Sequence, residues 1–177
     1  FMMRAGAFDD VDIAIAWHPG SVNGMLGCGL LSDRDVTFSF KGKAAHAAGS
    51  PHLGRSALDA CELMNVGVNY LREHVIQEAR IHYAYLDVGG PAPNVVQETA
   101  KLRYFIRAPK VSQVLEISER VFDCARGAAL MTGCEVTINV SGGYCDLIPN
   151  DVLSNVVGES LKEVGPPEFD EADRKLA

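Results

Sequence analysis

The feature that most constrains this chain is a series of apolar repeats whose period switches between two and 3.6 residues in a fixed order. From Val36 to Lys41 apolar and polar residues alternate, with Val36, Phe38 and Phe40 on one face, the pattern of a half-buried strand that Gly42-Lys43 ends. A loop of small residues follows, Ala44 to Arg55. Ser56 with Asp59 then predicts a helix start. Ala57, Ala60, Met64, Val68, Leu71 and Val75 recur at helical spacing behind it, with Gly67 costing about 1 kcal/mol relative to alanine. Ile81, Tyr83 and Tyr85 predict a second strand, Gly89 to Pro93 a stiff turn region, and Ala100, Leu102, Tyr104 and Ile106 a third strand closed by Pro109. Val114, Ile117, Val121, Cys124, Ala128 and Met131 give a second helical stripe, which Gly133 stops with a left-handed cap. Val136, Ile138 and Val140 predict a fourth strand.

Strand, helix, strand, strand, helix, strand is the α+β, ferredoxin-like βαββαβ order, a four-stranded antiparallel sheet with two helices on one face. We place this domain at 32–141. Two flanks remain: 1–31, where Val11 to Trp17 reads as a buried strand, and 142–177, where Asp151 is expected to cap a helix running to Glu163. Neither can bury its apolar face alone, so both are expected to be pieces of an α/β domain. The chain starts on what reads as the tail of a helix and stops in a helix-forming run. An internal piece of a longer protein is therefore expected.

A formal net charge of -7 argues against nucleic acid and anionic membrane surfaces as partners. Five cysteines, widely spaced and mostly in apolar stretches without a CxxC pair, suit buried free thiols in a reducing, cytoplasmic compartment. An RNA-binding module of this topology would stack bases on aromatic residues of its central strands. Here Tyr104 and Phe105 are adjacent and so point to opposite faces. A non-enzymatic ferredoxin-like module for dimerisation or small-ligand regulation stays open, although a strand ending at His18 is not something it needs.

On the residues alone, the candidate groups read blandly. His18, at the end of the first expected strand and stiffened by Pro19, suits a structural role. His46 in its loop of small residues suits a solvated one. Asn94 and Arg107 are polar residues beside strands, and Arg103 shares the face of Arg107 under strict alternation. His52, His74 and His82 are assigned to the surface or to packing, and Asn150 offers only a weak hint of return to a cleft.

Longer motifs change the weighting. Lys41-Gly42-Lys43-Ala44-Ala45-His46-Ala47-Ala48-Gly49-Ser50-Pro51, with Gly54-Arg55-Ser56-Ala57-Leu58-Asp59-Ala60 after it, resembles the lid-domain signature of the aminoacylase and carboxypeptidase-like dinuclear metallopeptidases. Gly89-Gly90 through Asn94-Val95-Val96, then Leu102 to Arg107, looks like that family's glycine pair, asparagine and strand-borne arginine. Phe8-Asp9-Asp10-Val11-Asp12 leading to Trp17-His18-Pro19 looks like its ligand-bearing strand. Ala16-Trp17-His18-Pro19 and Pro166-Pro167-Glu168-Phe169 point to the members acting on aroyl-amides of acidic residues such as p-aminobenzoyl-glutamate. Gln97 departs from the pattern, since many relatives carry proline there.

The resemblance implies amide hydrolysis by two divalent ions, zinc or manganese, with a bridging hydroxide and a carboxylate base. His18 is the one matching ligand; the other ligands and the base would lie before Phe1 and after Ala177, so this piece should bind no metal stably and hydrolyse nothing alone. His46 would cross a homodimer and donate to the oxyanion in the partner's active site. Asn94 and Arg107 would fix the substrate carboxylate, with Arg103 as a weaker candidate. A second kind of subunit is a further expected partner.

Overall fold

The computed structural model describes residues 2–25 and 29–176. The expected alternation at Val36, Phe38 and Phe40 belongs to a longer strand, β1 (Ser32–Lys41), which pairs antiparallel along its length with β5 (Thr99–Ala108). β3 (Arg80–Asp87) adds to the far side of β5, and β6 (Glu135–Tyr144) to the other side of β1, giving the order β3-β5-β1-β6. β6 therefore runs past Ser141. A register shift between Asp35 and Val36 absorbs an extra residue of β6 near Ser141.

The two helices that cover this sheet, α1 (Ala57–Leu71) and α2 (Val111–Thr132), start and stop for local reasons. The Ser56 hydroxyl accepts the Asp59 N–H at 3.0 Å, and Gly133 closes α2 at φ 67°. Val36, Phe38, Phe40, Leu102, Tyr104 and Ile106 meet Met64, Val68, Val121 and Phe122 in one core. Two stripe residues depart from expectation: Met131 is exposed, because the last turn of α2 overshoots the sheet, and Val75 is half-buried just beyond a short 3-10 turn, Arg72–His74. Cys61 is buried, Cys124 and Cys134 are half-buried and Cys145 is exposed, so the reading of the cysteines as buried fails at Cys145; Cys28 lies outside the described residues.

The loop expected from Ala44 to Arg55 holds more structure than its composition suggests. Ala45–His46 (β2) pairs with Val95–Val96 (β4) as a separate two-stranded ribbon, and Pro51–Leu53 forms a 3-10 turn. Gly42 packs so closely there that an added Cβ would lie 1.9 Å from the Arg55 carbonyl oxygen.

By contacts the chain divides into Cys28–Pro149, which contains this sheet, and a second unit of Phe1–Gly27 with Asn150–Ala177. In the second unit, Val11 to Trp17 is exposed and forms no strand, because a strand exists only through ladder partners and it has none among the described residues. α3 (Asp151–Val164) is present, but its cap is Asn150, whose Oδ1 accepts the Leu153 N–H at 3.0 Å, and not Asp151. A short α4 (Glu171–Leu176) follows. No described helix is long and apolar enough to cross a membrane.

Candidate active-site groups on a dimerisation domain

His46 sits at the end of β2, and the small residues after it let the backbone fold back onto its ring. Nδ1 accepts the N–H of Ala48 at 3.3 Å and of Gly49 at 3.0 Å. A nitrogen that accepts carries no proton in the neutral ring, so the proton sits on Nε2. The exposed ring is thus held by its inner nitrogen as a neutral outward donor.

Asn94 is brought beside this histidine by the ribbon: Val95 pairs with His46, and the Asn94 carbonyl accepts the Ala47 N–H at 2.9 Å. Gln97, at the position where related chains carry proline, is tied down by its backbone, since its carbonyl accepts the Ala57 N–H at 2.8 Å. The glycine pair is required by conformation, with Gly89 at φ 78° and Gly90 at φ 102°.

Arg107 lies elsewhere. It is at the far end of β5, eight residues beyond Thr99, or about 26 Å at strand rise, on the sheet face that the helices leave open. Its Nε donates to Asp33 at 3.2 Å. Arg103, two turns of the pleat away, donates Nε and Nη2 to the two oxygens of Asp35 at 2.9 and 2.6 Å, which holds the Asp35 carboxyl below the ordinary aspartate range. Phe105 lies between them, its ring centroid 4.9 Å from the Arg103 guanidinium and 5.6 Å from that of Arg107. The two aspartates escaped sequence reading because only the β1–β5 register puts them opposite the arginines.

His18 is exposed in the second unit, and its Nδ1–H donates to the Pro19 carbonyl at 2.7 Å, which leaves Nε2 free as a lone-pair donor. Holding the ring this way suits a ligand, yet no group of three or more His, Cys, Asp or Glu among the described residues could hold a metal ion. The residues present therefore do not make up a two-metal centre. His52, His74 and His82 are exposed, and the first two offer only backbone carbonyls, to Arg55 and Arg120. Asn150 serves as a helix cap. Burial pushes the Cys61 thiol up to about 12, which keeps it protonated and inert.

A four-stranded antiparallel sheet with two helices on one face and a histidine-bearing ribbon at its margin defines an α+β domain of the kind that joins peptidase subunits. Residues 34–130 match the family model described as the peptidase dimerisation domain, M20 type, and the chain belongs to that family. It is similar over its full length, at 46% identity, to 37% of one of the two named subunits of p-aminobenzoyl-glutamate hydrolase, from Escherichia coli K12. It is 34% identical over 93% of its length to 38% of Xaa-Arg dipeptidase of Mus musculus. Among solved structures, the aminobenzoyl-glutamate utilization protein of Klebsiella pneumoniae superposes with TM-score 0.70 at 27% identity, covering 93% of this chain and 43% of that one. The chain thus spans well under half the length of these relatives.

Proposed function

We propose that this chain is the lid and dimerisation part of a metal-dependent amidohydrolase that cleaves an N-acyl or N-aroyl amino acid, p-aminobenzoyl-glutamate being the leading candidate. The observation that carries this reading is the His46 ring, whose inner nitrogen is occupied by two backbone donors while Nε2–H faces out. When an amide carbonyl is attacked, its oxygen gains negative charge, and a fixed neutral donor stabilises that charge more than it stabilises the ground state. His46 supplies such a donor, and Asn94 beside it supplies a second polar group.

Arg107 is suited to the substrate's carboxylate through its planar fork of donors. Within one chain it is too far along β5 from the His46 ribbon for a small substrate to touch both. The two therefore serve one substrate from different subunits. A two-fold dimer is the arrangement this requires; β3 offers an open sheet edge, and α1 beside it exposes Val66 and Tyr70. In the whole protein His18 is the ligand this chain would give to a pair of divalent ions, zinc or manganese. A cytoplasmic setting, and a second kind of subunit suggested by the relative's name, complete the reading.

In the whole protein, His46→Ala should lower kcat by about 10²- to 10³-fold, the scale of losing one oxyanion donor, with little change in KM. Mixing His46→Ala with His18→Ala subunits creates hybrid dimers in which one site keeps its metal ligand and is faced by an intact His46. Activity should partly return. If subunits exchange and none reappears, His46 does not act across a dimer.

A further inference from the structure

The two arginines of the open sheet face are held differently. Arg103 gives both Nε and Nη2 to Asp35, so its charge is already met by a carboxylate gripping one whole edge. Arg107 gives Asp33 its Nε alone, and its two Nη groups have no partner among the described residues. The Asp33 side chain is 5% exposed and that of Arg107 34%, so the anchor is buried and the anchored group is not. Phe105 packs against the guanidinium group, which limits its rocking. The residue paired with Arg107 on its other side is Arg80, whose Nη1 is spent on the carbonyls of Gln77 and Ala79. The row Asp33, Arg107, Arg80 thus carries two cations against one carboxylate, a local excess of positive charge.

We propose that Asp33 is a positioning residue: by holding Arg107 through Nε only, it keeps both Nη groups turned out for the carboxylate of an acidic substrate. This rests on the reading of Arg107 as the carboxylate-binding group. A free arginine on a strand samples many rotamers, and ordering it on substrate arrival weakens binding. A buried carboxylate at Nε does that ordering beforehand and leaves four N–H donors unshared. Asp35 cannot do the same for Arg103, because it takes the edge that a substrate would need.

The test is steady-state kinetics of the whole hydrolase on p-aminobenzoyl-glutamate and on its neutral diamide. Asp33→Ala should raise KM for the diacid about tenfold, the low end of what losing an orienting partner does to the group it holds. Asp33→Asn, which keeps the acceptor and loses the charge, should raise it less. In both variants kcat and all diamide kinetics should stay put, and Asp35→Asn should change neither. Should Asp33→Ala fail to fold, Asp33→Asn decides the matter. If the Asp33 variants slow both substrates alike, or leave diacid KM unchanged while Arg107→Ala raises it, the positioning role is overturned and the reading of Arg107 stands. If Arg107→Ala leaves diacid KM unchanged, that reading fails and the role of Asp33 goes with it.

Discussion

The two units of this chain are alike in apolar patterning and opposite in burial. In Cys28–Pro149, Val36, Phe38, Leu102, Tyr104 and Ile106 are all at 0% exposure. In the other unit, Ile13, Ile15, Trp17, Val152 and Val164 are between 60% and 86% exposed. Apolar periodicity records a demand for cover, and it does not say where the cover comes from. The βαββαβ unit meets that demand with its own helices. The flanking unit carries the same demand unmet.

The largest effect that would break this contrast is a core truncation. Phe38→Ala removes a ring at 0% exposure that meets Tyr104 and Phe122 edge-on, and should cost about 3–5 kcal/mol in denaturant unfolding of the 177-residue chain. Trp17→Ala should change that same unfolding by less than about 0.5 kcal/mol, although tryptophan is the larger side chain. Equal losses would mean that the flank shares the core's cooperativity.

What could be read in advance follows the same division. β5 was legible because Ala100, Leu102, Tyr104 and Ile106 are all buried on one side and its register needed no knowledge of the partner. β1 begins four residues before its first apolar position, since Ser32 to Asp35 join the ladder through backbone pairing with Phe105 to Ala108 and leave no hydrophobic trace. The ribbon of β2 and β4 is two residues long on each side, too short for any period, so the closeness of His46 and Asn94 appears only in space. For the site, residue types and resemblance pointed to His46, Asn94, Arg107 and His18, but the partners that orient two of them, Asp33 and the N–H groups of Ala48 and Gly49, depend on long-range register and local backbone folding. Their chemical roles are for kinetics of the whole hydrolase to decide.

Glycines sharpen the comparison at the next scale down. Gly42→Ala would force a Cβ against the Arg55 carbonyl and should cost about 1–3 kcal/mol, the range for overpacking. Gly24→Ala in the flanking unit meets nothing within 4 Å and should be near neutral. Within α1, Gly67 has only the Cys124 side chain at 3.5 Å, an ordinary contact. Gly67→Ala should therefore stabilise the chain by about 0.5–1 kcal/mol through helix propensity, read as a shift in denaturation midpoint.

The smallest expected effect concerns the open face of the sheet, where the self-sufficient unit resembles the flank in being polar and wet. Asp35 is held below its ordinary value of 3.8, first by the hydrogen bond from Arg103 and further by that group's charge, while its partial burial pulls the other way. A carboxyl whose folded-state value is depressed contributes stability that is fully present above the unfolded value and is lost as pH falls through the folded one. Asp35→Asn should therefore lower the melting temperature slightly near neutral pH, and the gap from the unmodified chain should close below about pH 3.8 as the native carboxyl takes up its proton. Salt should shrink the gap as well, because the Arg103 side chain is 47% exposed and the pair is open to screening. Melting curves of both chains from neutral to acid pH decide it. A gap that stays constant would show that Asp35 acts by packing beside Phe105 and not by charge, leaving Asp33 as the face's one electrostatic anchor to test.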